Sequence, residues 1–193
     1  MPANPGQERT AQYRAVRRNK GSASNPPSLG ASLRALDLRA LRVMRTRCHS
    51  PVTEAAVVAL ARAGENGLVW YAVAAGGMAL DRGRRPMYAR SIGVVLVTLL
   101  ANTAVKQLVR RARPALEDLP ALTPVISGRS YPSAHASTSF AGARTLSAAL
   151  PAGPLYGLAV AMALSRPYLG VHYPTDVLAG ALLGDAMGRL LTP

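Results

Sequence analysis

The sequence has few cysteines, histidines, acidic residues and aromatics, and these shortages limit what the protein can be. Cys48 is the only cysteine among 193 residues, so no internal disulfide is possible and the redox compartment stays open. The chain has no cysteine or histidine cluster with the spacing of metal ligands, so we expect no metal and no other cofactor. Only 5% of residues are aromatic although 49% are hydrophobic, and the apolar residues gather in runs. This distribution favours a membrane protein over an ordinary globule.

Basic residues outnumber acidic ones 23 to 9, which gives a formal net charge of +14. The arginines lie in the N-terminal tail and at the ends of apolar runs, not on a polar helix face interleaved with aromatics, so we expect no nucleic-acid partner. The N-terminal region has no apolar stretch that would serve as the h-region of a signal peptide. We interpret residues 1–28 as a disordered basic tail.

Residues 29–64 are predicted to form amphipathic helices at a membrane surface. Between Leu29 and Arg47, leucines and arginines alternate at helical spacing, which suits a helix lying on an anionic membrane. A solvated helix packed on its own domain is the alternative. The stretch TEAAVVALARA, residues 53–63, is too short to span a bilayer and predicts a second interfacial or re-entrant helix.

Residues 65–193 are predicted to form an all-α domain, an integral membrane bundle of about five transmembrane helices. The apolar stretches that indicate these helices cover residues 67–81, 89–109, 135–150, 153–167 and 176–191. Several are shorter than the roughly 20 residues that a bilayer usually requires, so this prediction depends on pattern rather than length. Because successive helices reverse direction, the end of the second, the start of the third, the end of the fourth and the start of the fifth share one face.

Three basic side chains are predicted to meet at that face. In KQLVRRARP, Lys106 and Arg113 are seven residues apart, so two helical turns place them on one side of the helix before Pro114 ends it. Arg166 lies in SRPYLGVHYPTD, at the end of the fourth apolar stretch. Three cations in one place repel one another unless an anion lies between them, and guanidinium groups match phosphate oxygens in bidentate fashion. The pattern therefore indicates a phosphate site.

Two histidines and an aspartate at the same face indicate catalysis rather than binding alone. Asp176 can hold the His172 imidazole in one tautomer and leave its other nitrogen free to attack phosphorus. His135 is then placed to protonate the leaving alkoxide and later to activate water. The motif YPSAHAS opens the third helix, so its free backbone N–H groups and the Ser133 hydroxyl add donors to the phosphate. Taken singly, each residue has a structural alternative: a snorkelling cation, a structural histidine or a helix cap.

Together the three motifs resemble the signature of the type 2 phosphatidic acid phosphatase (PAP2) superfamily, over about residues 65–190. The matching residues are Lys106-x6-Arg113-Pro114, Pro132-Ser133-Ala134-His135 and Ser165-Arg166-x5-His172-x3-Asp176. The resemblance implies a helical bundle that hydrolyses phosphate esters without a metal. It implies that His172 is the nucleophile, that Asp176 orients it, and that His135 is the acid and base.

The same resemblance implies that the phosphate is bound by Lys106, Arg113, Ser133 and Arg166. The second motif of the family usually reads Pro-Ser-Gly-His, so Ala134 departs from it at a phosphate-binding position. A methyl group there can alter the turn or tighten the pocket, but it removes no catalytic group.

The short loops and apolar helices are similar to the membrane lipid phosphatases of the superfamily. The Arg-rich and Ala-rich character is similar to actinobacterial members that act on decaprenylphosphoryl-phosphoribose in arabinan precursor synthesis. This resemblance implies a multi-pass cell-membrane enzyme acting on a lipid-linked phosphate monoester. A phosphatidylglycerophosphate or polyprenyl pyrophosphate phosphatase is one alternative, and a non-catalytic protein that binds anionic lipid is another. The loop DRGRRPMYAR and the basic tail point to opposite membrane faces for the site, and the anionic inner leaflet favours the cytoplasmic one.

Two further features lie inside predicted spans. Arg144 is nine residues after His135 and Asp185 is nine after Asp176, so we expect both charges at a similar depth, in a buried ion pair that joins the third helix to the fifth. Gly180, Gly184 and Gly188 recur every four residues and allow close helix approach. We expect that approach inside the bundle, with a homo-oligomer interface as the alternative.

Overall fold

The computed structural model describes residues 28–125 and 127–192, and these residues form α-helices and 3-10 turns without a strand. The all-α prediction is therefore confirmed, whereas the predicted basic tail, residues 1–28, lies outside the described residues except for Ser28. In chain order the helices are α1 (Leu29–Thr46), α2 (Pro51–Ala63), α3 (Leu68–Leu80), α4 (Arg85–Val109), α5 (Ala134–Leu146), α6 (Ala152–Tyr168) and α7 (Pro174–Leu190). Short 3-10 turns, Glu65–Gly67 and Arg82–Arg84, precede α3 and α4.

The chain divides into two compact units between Ala35 and Leu36. In the first unit the structure describes the beginning of α1, where the Ala31 backbone N–H donates to Ser28 Oγ at 3.3 Å. The second unit contains the rest of α1 and helices α2 to α7. Every contact discussed below lies within this second unit.

The five predicted apolar stretches correspond to α3 through α7, and the largest differences, four residues each, are at the start of α4 and the end of α5. The prediction extended this helix to residue 150, but it ends at Leu146 and is followed by a turn and Pro151. Within the described residues, one helical segment, Arg82–Val109, is both long and apolar enough to cross a membrane. Helices α6 and α7 have 17 residues each, about 25 Å at 1.5 Å per residue.

Helix α5 is the central element, and it packs against α4, α6 and α7. Its residues from Ala136 to Ala143 are nearly all buried, and most are Ala, Gly, Ser or Thr, which allow neighbouring helices to approach closely. Trp70 of α3 lies against Gly142 and donates from its indole nitrogen to Ser139 Oγ at 3.0 Å. This small-residue helix therefore fixes the spacing of the bundle around it.

The glycine repeat of α7 is the closest of these approaches. A Cβ atom at Gly180 or Gly184 would overlap the backbone carbonyl oxygen of Ser133 or Ser137, and one at Gly188 would overlap the Arg144 side chain. The repeat therefore faces α5 of the same chain, as expected for packing inside the bundle. The glycine repeat therefore no longer supports the alternative, a homo-oligomer interface.

The predicted ion pair between Arg144 and Asp185 is wrong. Asp185 pairs instead with Arg189, one turn later on α7, with 2.7 Å between Oδ2 and Nε, and the Arg144 side chain is exposed. Because α5 ends at Leu146, Arg144 lies in its last turn, where a cation is stabilised by the helix dipole. The prediction compared how far along their helices the two residues lie, but not the direction in which each side chain points around its helix. Asp185 is about 100° around the helix from Gly184, which faces α5.

Helix α1 is packed on its own domain along one stripe, and its location at a membrane surface stays a prediction. One stripe is buried against the domain and contains Asp37, Leu41 and Arg45, at intervals of four residues. On other sides of the helix Leu36 and Val43 are exposed, as a membrane-surface helix requires. The packed stripe thus contains two charged residues, which the amphipathic pattern did not predict.

Replacing Gly184 with alanine should destabilise the protein, because the new methyl group has to displace the Ser137 backbone. We expect a cost of roughly 1–3 kcal/mol, measured as a lower thermal midpoint of the detergent-purified protein. The matched control is Gly157→Ala in α6, where a Cβ meets nothing within 4 Å. That change should leave the midpoint equal or slightly higher. Equal midpoints for the two variants would contradict the close packing of α5 and α7.

Candidate active site

Most of the residues predicted to form the site line one cavity of about 280 Å³. The predicted residues in its lining are Lys106, Arg113, Ala134, His135, Arg166 and His172. They come from the end of α4, the 110–133 loop, the start of α5, the end of α6 and the loop before α7. The structure therefore brings together segments that are up to 66 residues apart in sequence, from Lys106 to His172.

Lys106 and Arg113 reach this cavity by a different route from the predicted one. Helix α4 ends at Val109, and Arg110 adopts the left-handed conformation with φ of 53°, which turns the chain away from the helix axis. Arg113 therefore does not share a helix face with Lys106. It lies on an extended segment where its backbone N–H donates to the Gly128 carbonyl at 3.2 Å.

Arg113 is held by backbone carbonyl groups and lies against His172. Its Nε donates to the Ser127 carbonyl at 2.6 Å, and its Nη1 donates to the Val171 carbonyl at 2.7 Å. The same Nη1 lies 3.1 Å from His172 Nε2. Burial lowers the pKa of Arg113, although the nearby Asp176 carboxylate opposes this. Arg166 is also buried, and its Nε has no hydrogen-bond partner among the described residues.

The surroundings of His172 define its tautomer. A guanidinium group has donors only, so His172 Nε2 must accept from Arg113 and carries no proton. The proton of the neutral ring is then on Nδ1, which lies 3.5 Å from Asp176 Oδ2. This contact is longer than an ordinary hydrogen bond of about 2.7–3.2 Å. The geometry leaves an unprotonated Nε2 at the cavity, as a nucleophile requires.

His172 is kept neutral by its position. Burial lowers the pKa of His172 to about 3; contact with Asp176 opposes this, and repulsion from Arg113, Arg166 and Lys106 lowers it further. The sign follows from the charges, because protonation would add a fourth cation to a buried cationic cavity. The free imidazole is therefore available as a base or nucleophile throughout the neutral pH range.

Asp176 lies at the start of α7, where both of its carboxylate oxygens accept hydrogen bonds. Its Oδ2 accepts from the Tyr173 backbone N–H at 2.9 Å, which caps the helix, and the same oxygen faces His172. Its Oδ1 accepts from Arg111 Nη1 at 2.8 Å. The carboxylate thus caps α7 and also faces the His172 imidazole, whose Nδ1 has no hydrogen-bond partner among the described residues.

The second motif begins α5. Ser133 is the N-cap of this helix, and its Oγ accepts from the Ala136 backbone N–H at 3.5 Å. Its own N–H donates to the Asp176 carbonyl at 2.9 Å, which joins the starts of α5 and α7. Ala134 is the first helical residue and lines the cavity, so its methyl group is accommodated by ordinary helical geometry. The departure from glycine therefore does not distort the turn.

His135 is oriented by a backbone group from α2. Its Nε2 donates to the Ala61 carbonyl at 2.8 Å, because a carbonyl oxygen can only accept. Nδ1 is then the ring nitrogen that can exchange a proton with a substrate. Gly64 lies against this imidazole, and a Cβ there would approach its Cδ2 to 3.0 Å.

Several residues at or beside the site were not predicted from the sequence. Glu65, Asn66 and Asn102 line the cavity, and Asp37 and Arg111 form an ion pair behind Asp176. A signal existed for Asp37, since it is the one acidic residue between Leu29 and Thr46, a stretch with four arginines. Glu65 and Asn66 lie in a short turn without helical or strand periodicity, so no pattern indicated them.

A family model described as the PAP2 superfamily matches residues 88–193, and the chain belongs to this family. Among curated relatives, decaprenylphosphoryl-5-phosphoribose phosphatase of Mycolicibacterium smegmatis is 42% identical over 63% of this chain and 68% of its own length. The protein of the same name from Mycobacterium tuberculosis is 38% identical over 68% of this chain and 75% of its own length. The undecaprenyl-diphosphatase of Sulfolobus acidocaldarius is 35% identical over 61% and 59% of the two chains.

Solved structures agree with the helical architecture. The crystal structure of LpxE from Aquifex aeolicus has a TM-score of 0.67 and 25% identity, over 81% of this chain and 94% of that chain. The first transmembrane PAP2-type phosphatidylglycerolphosphate phosphatase, from Bacillus subtilis, has the same TM-score and identity, over 83% and 84% of the two chains. Both similarities extend beyond the part of the chain that the family model matches.

The His172 imidazole should remain neutral when the pH is lowered to about 4. We expect its NMR signals, assigned by comparison with a His172→Gln variant, to stay constant between pH 9 and pH 5. The reason is that the lowered pKa places protonation near pH 3. A titration midpoint near 6.5, the ordinary value for histidine, would contradict the buried cationic surroundings.

Proposed function

We propose that this protein hydrolyses a phosphate monoester on a lipid-linked substrate through a phosphohistidine intermediate. The observation that carries the proposal is the state of His172, whose unprotonated Nε2 faces a cavity lined by Lys106, Arg113 and Arg166. A site for binding alone needs the cations but not a neutral, oriented imidazole. Membership of the PAP2 superfamily supports the same reaction class.

In the first step, Arg113 Nη1 moves its hydrogen bond from His172 Nε2 to a phosphoryl oxygen, which frees the Nε2 lone pair. His172 Nε2 then attacks phosphorus, and the bond to the leaving oxygen breaks. The three cations stabilise the charge that develops on the phosphoryl oxygens. The backbone N–H groups at the start of α5 add donors at the same place. As the substrate binds, its monoanionic phosphate gives a proton to His135 Nδ1, so that His135 becomes an imidazolium whose Nε2–H stays on the Ala61 carbonyl. His135 Nδ1 then gives this proton to the leaving alkoxide. The phosphorylated imidazole carries a positive charge that Asp176 offsets.

In the second step, His135 Nδ1 takes a proton from water as the water oxygen attacks phosphorus. The bond between phosphorus and His172 Nε2 breaks, and inorganic phosphate leaves. His172 returns to its starting tautomer because Nδ1 keeps its proton beside Asp176 throughout. No metal enters this scheme, since the arginines and lysine supply the positive charge that a metal ion would supply.

For the substrate we propose decaprenylphosphoryl-phosphoribose. The two mycobacterial relatives named for this activity support the choice. The cavity supports it as well, because Glu65, Asn66 and Asn102 place polar side chains in its wall. Hydroxyl groups of a phosphorylated sugar match such donors and acceptors. Phosphatidylglycerophosphate and a polyprenyl pyrophosphate are the competing substrates, as the names of other relatives suggest.

We propose that the protein is a multi-pass membrane protein with α3 through α7 as its spans. Exposed leucine side chains support this: Leu100 of α4 is 61% exposed, and Leu178 and Leu182 of α7 are 61% and 63% exposed. Such residues are costly in water but suit contact with lipid. The site then lies near one membrane surface, at the same end of the bundle as the loop between α1 and α2. We propose that this end faces the cytoplasm.

The purified protein should release phosphate from lipid phosphates in excess EDTA, and His172→Ala should reduce kcat by at least about 10³-fold. The test compares decaprenylphosphoryl-phosphoribose, phosphatidylglycerophosphate and undecaprenyl pyrophosphate. The highest kcat/KM is expected for the first. The control is His49→Gln, which changes the histidine that lies outside the cavity and stacks on Tyr168. This variant should retain activity within about two-fold.

Different results would contradict different parts of the proposal. Loss of activity in EDTA that returns with a divalent cation would exclude the metal-independent scheme. A higher kcat/KM on either of the other lipids would exclude the phosphoribosyl substrate. Absence of turnover on all three lipids, with orthophosphate still bound by wild type and His172→Ala, would favour the anionic-lipid-binding alternative.

Labelling of the single cysteine should determine which membrane face holds the site. Cys48 is exposed, and its carbonyl accepts from the Tyr168 hydroxyl at the site end of α6. A membrane-impermeant maleimide should label it in inverted vesicles and not in intact cells. The matched variant combines Cys48→Ser with Gly83→Cys, in the turn at the opposite end of the bundle, and should show the reverse pattern. Labelling of Cys48 in intact cells would place the site outside.

A further inference from the structure

We propose that Asp37 and Arg111 are positioning residues that hold the Asp176 carboxylate toward His172, so that helix α1 is part of the active site. This inference rests on the proposed function, because it assigns these two residues a task in that reaction. Asp37 lies outside the residues that match the family model, and Arg111 is not one of the residues that line the cavity. The argument depends on their contacts with α7.

Arg111 connects two carboxylates. Its Nη1 donates to Asp176 Oδ1 at 2.8 Å and to Thr175 Oγ1 at 2.8 Å, and its Nη2 donates to Asp37 Oδ2 at 2.7 Å. The guanidinium group also lies over the Tyr173 ring, 3.9 Å from its centroid. A planar guanidinium with several fixed donors can make these contacts at once, which a lysine cannot.

Asp37 binds both Arg111 and Thr175. Its Oδ1 accepts from the Thr175 backbone N–H at 3.0 Å, and its Oδ2 accepts from the Thr175 hydroxyl as well as from Arg111. The Asp37 side chain is only 4% exposed. A carboxylate this deeply buried is stable only when its oxygens are satisfied, and here three donors satisfy them.

As a consequence, the two oxygens of Asp176 have different partners. Arg111 occupies Oδ1, whereas Oδ2 is left to the Tyr173 backbone and to His172 Nδ1. Rotation of the carboxylate would break the ion pair with Arg111, so the pair fixes which oxygen the imidazole meets. Fixing that oxygen also fixes the direction of His172 Nε2 toward the cavity.

Asp37 also affects the charge that Asp176 presents. An unshared guanidinium beside Asp176 would withdraw negative charge from the carboxylate and weaken it as an acceptor for His172. Because Arg111 is shared with a second carboxylate, Asp176 keeps more of its charge for the imidazole. The cluster of two anions and one cation has a net negative charge, opposite to that of the cavity.

A purely structural role for Asp37 is unnecessary, since α1 has other attachments. Arg42 makes a bidentate pair with Asp118, at 2.6 and 3.1 Å. Arg45 donates to the carbonyl groups of Pro120 and Tyr168, at 2.7 and 3.2 Å. These contacts also join α1 to the rest of the domain but do not involve Asp176. They provide a matched control on the same helix.

The test compares Asp37→Asn with Asp118→Asn in the detergent-purified full chain. We expect Asp37→Asn to lower kcat by about 10- to 100-fold, because a small misplacement of a catalytic group has effects of this size. KM and orthophosphate affinity should stay within about two-fold, since Lys106, Arg113 and Arg166 are unchanged. Asp118→Asn should leave kcat and KM within about two-fold of wild type.

A second arm shows whether the effect passes through Asp176. In an Asp176→Asn background, Asp37→Asn should have little further effect on kcat, because its target is already lost. Arg111→Lys keeps the positive charge but removes the planar guanidinium donors that contact both carboxylates, so it should lower kcat as Asp37→Asn does. This variant also serves if Asp37→Asn does not fold. The His172 imidazole signals should shift in Asp37→Asn and Arg111→Lys but not in Asp118→Asn.

The proposal is wrong if Asp37→Asn or Arg111→Lys has the kcat of Asp118→Asn, or if the effects of Asp37→Asn and Asp176→Asn are additive. Equal losses of kcat and phosphate affinity would also overturn it, since they indicate general disruption. If wild type releases no phosphate from any lipid, the proposed function fails. The His172 signals of the three variants then decide the positioning role alone.

Discussion

The mutual repulsion of Lys106, Arg113 and Arg166 is the constraint on which the rest of the site depends. Three cations around one cavity of about 280 Å³ raise the energy of the protein when the cavity holds no anion. Burial is the main cause that keeps His172 neutral, and the same repulsion adds to it. In the proposed reaction, a phosphate group relieves the repulsion when it binds. The cations that bind the substrate then also help to keep the proposed nucleophile unprotonated.

The acidic residues near the site are few and are placed behind or beside the cations rather than among them. Asp176 and Asp37 lie behind His172 and are joined by Arg111, whereas Glu65 lines the cavity wall. This separation keeps the anion-binding centre positive while the imidazole still has a carboxylate partner. Helix α2 contributes the Ala61 carbonyl, which accepts a hydrogen bond from His135. Helix α1 contributes Asp37, which we propose acts on His172 through Arg111 and Asp176.

The fold and the cavity residues were largely predictable, and the reasons differ from one residue to another. Apolar runs located α3 through α7, and reversal of successive helices brought His135 and His172 to one end. The sequence correctly placed Lys106 and Arg113 at one site, but it wrongly placed them on one helix face. The helix ends before Arg113 at a left-handed residue, Arg110, and such a residue is predictable from sequence mainly when it is a glycine. The predicted ion pair between Arg144 and Asp185 was wrong because equal depth along two helices does not determine which way each side chain points around its helix. Asp37 was missed because its partners are 74 and 138 residues away.

The contact between α5 and α7 has a consequence for how this sequence can change over time. Gly180 and Gly184 bring the α7 backbone against the carbonyl groups of Ser133 and Ser137, so at these two positions the helices that begin beside His135 and His172 meet through their backbones. The spacing of the two histidines is therefore set by main-chain atoms. Residues on the outer faces of α4 and α7 can vary among apolar types without altering that spacing. Substitution is thus tolerated on the outer faces of the bundle and prevented at a few glycines that contact no substrate themselves.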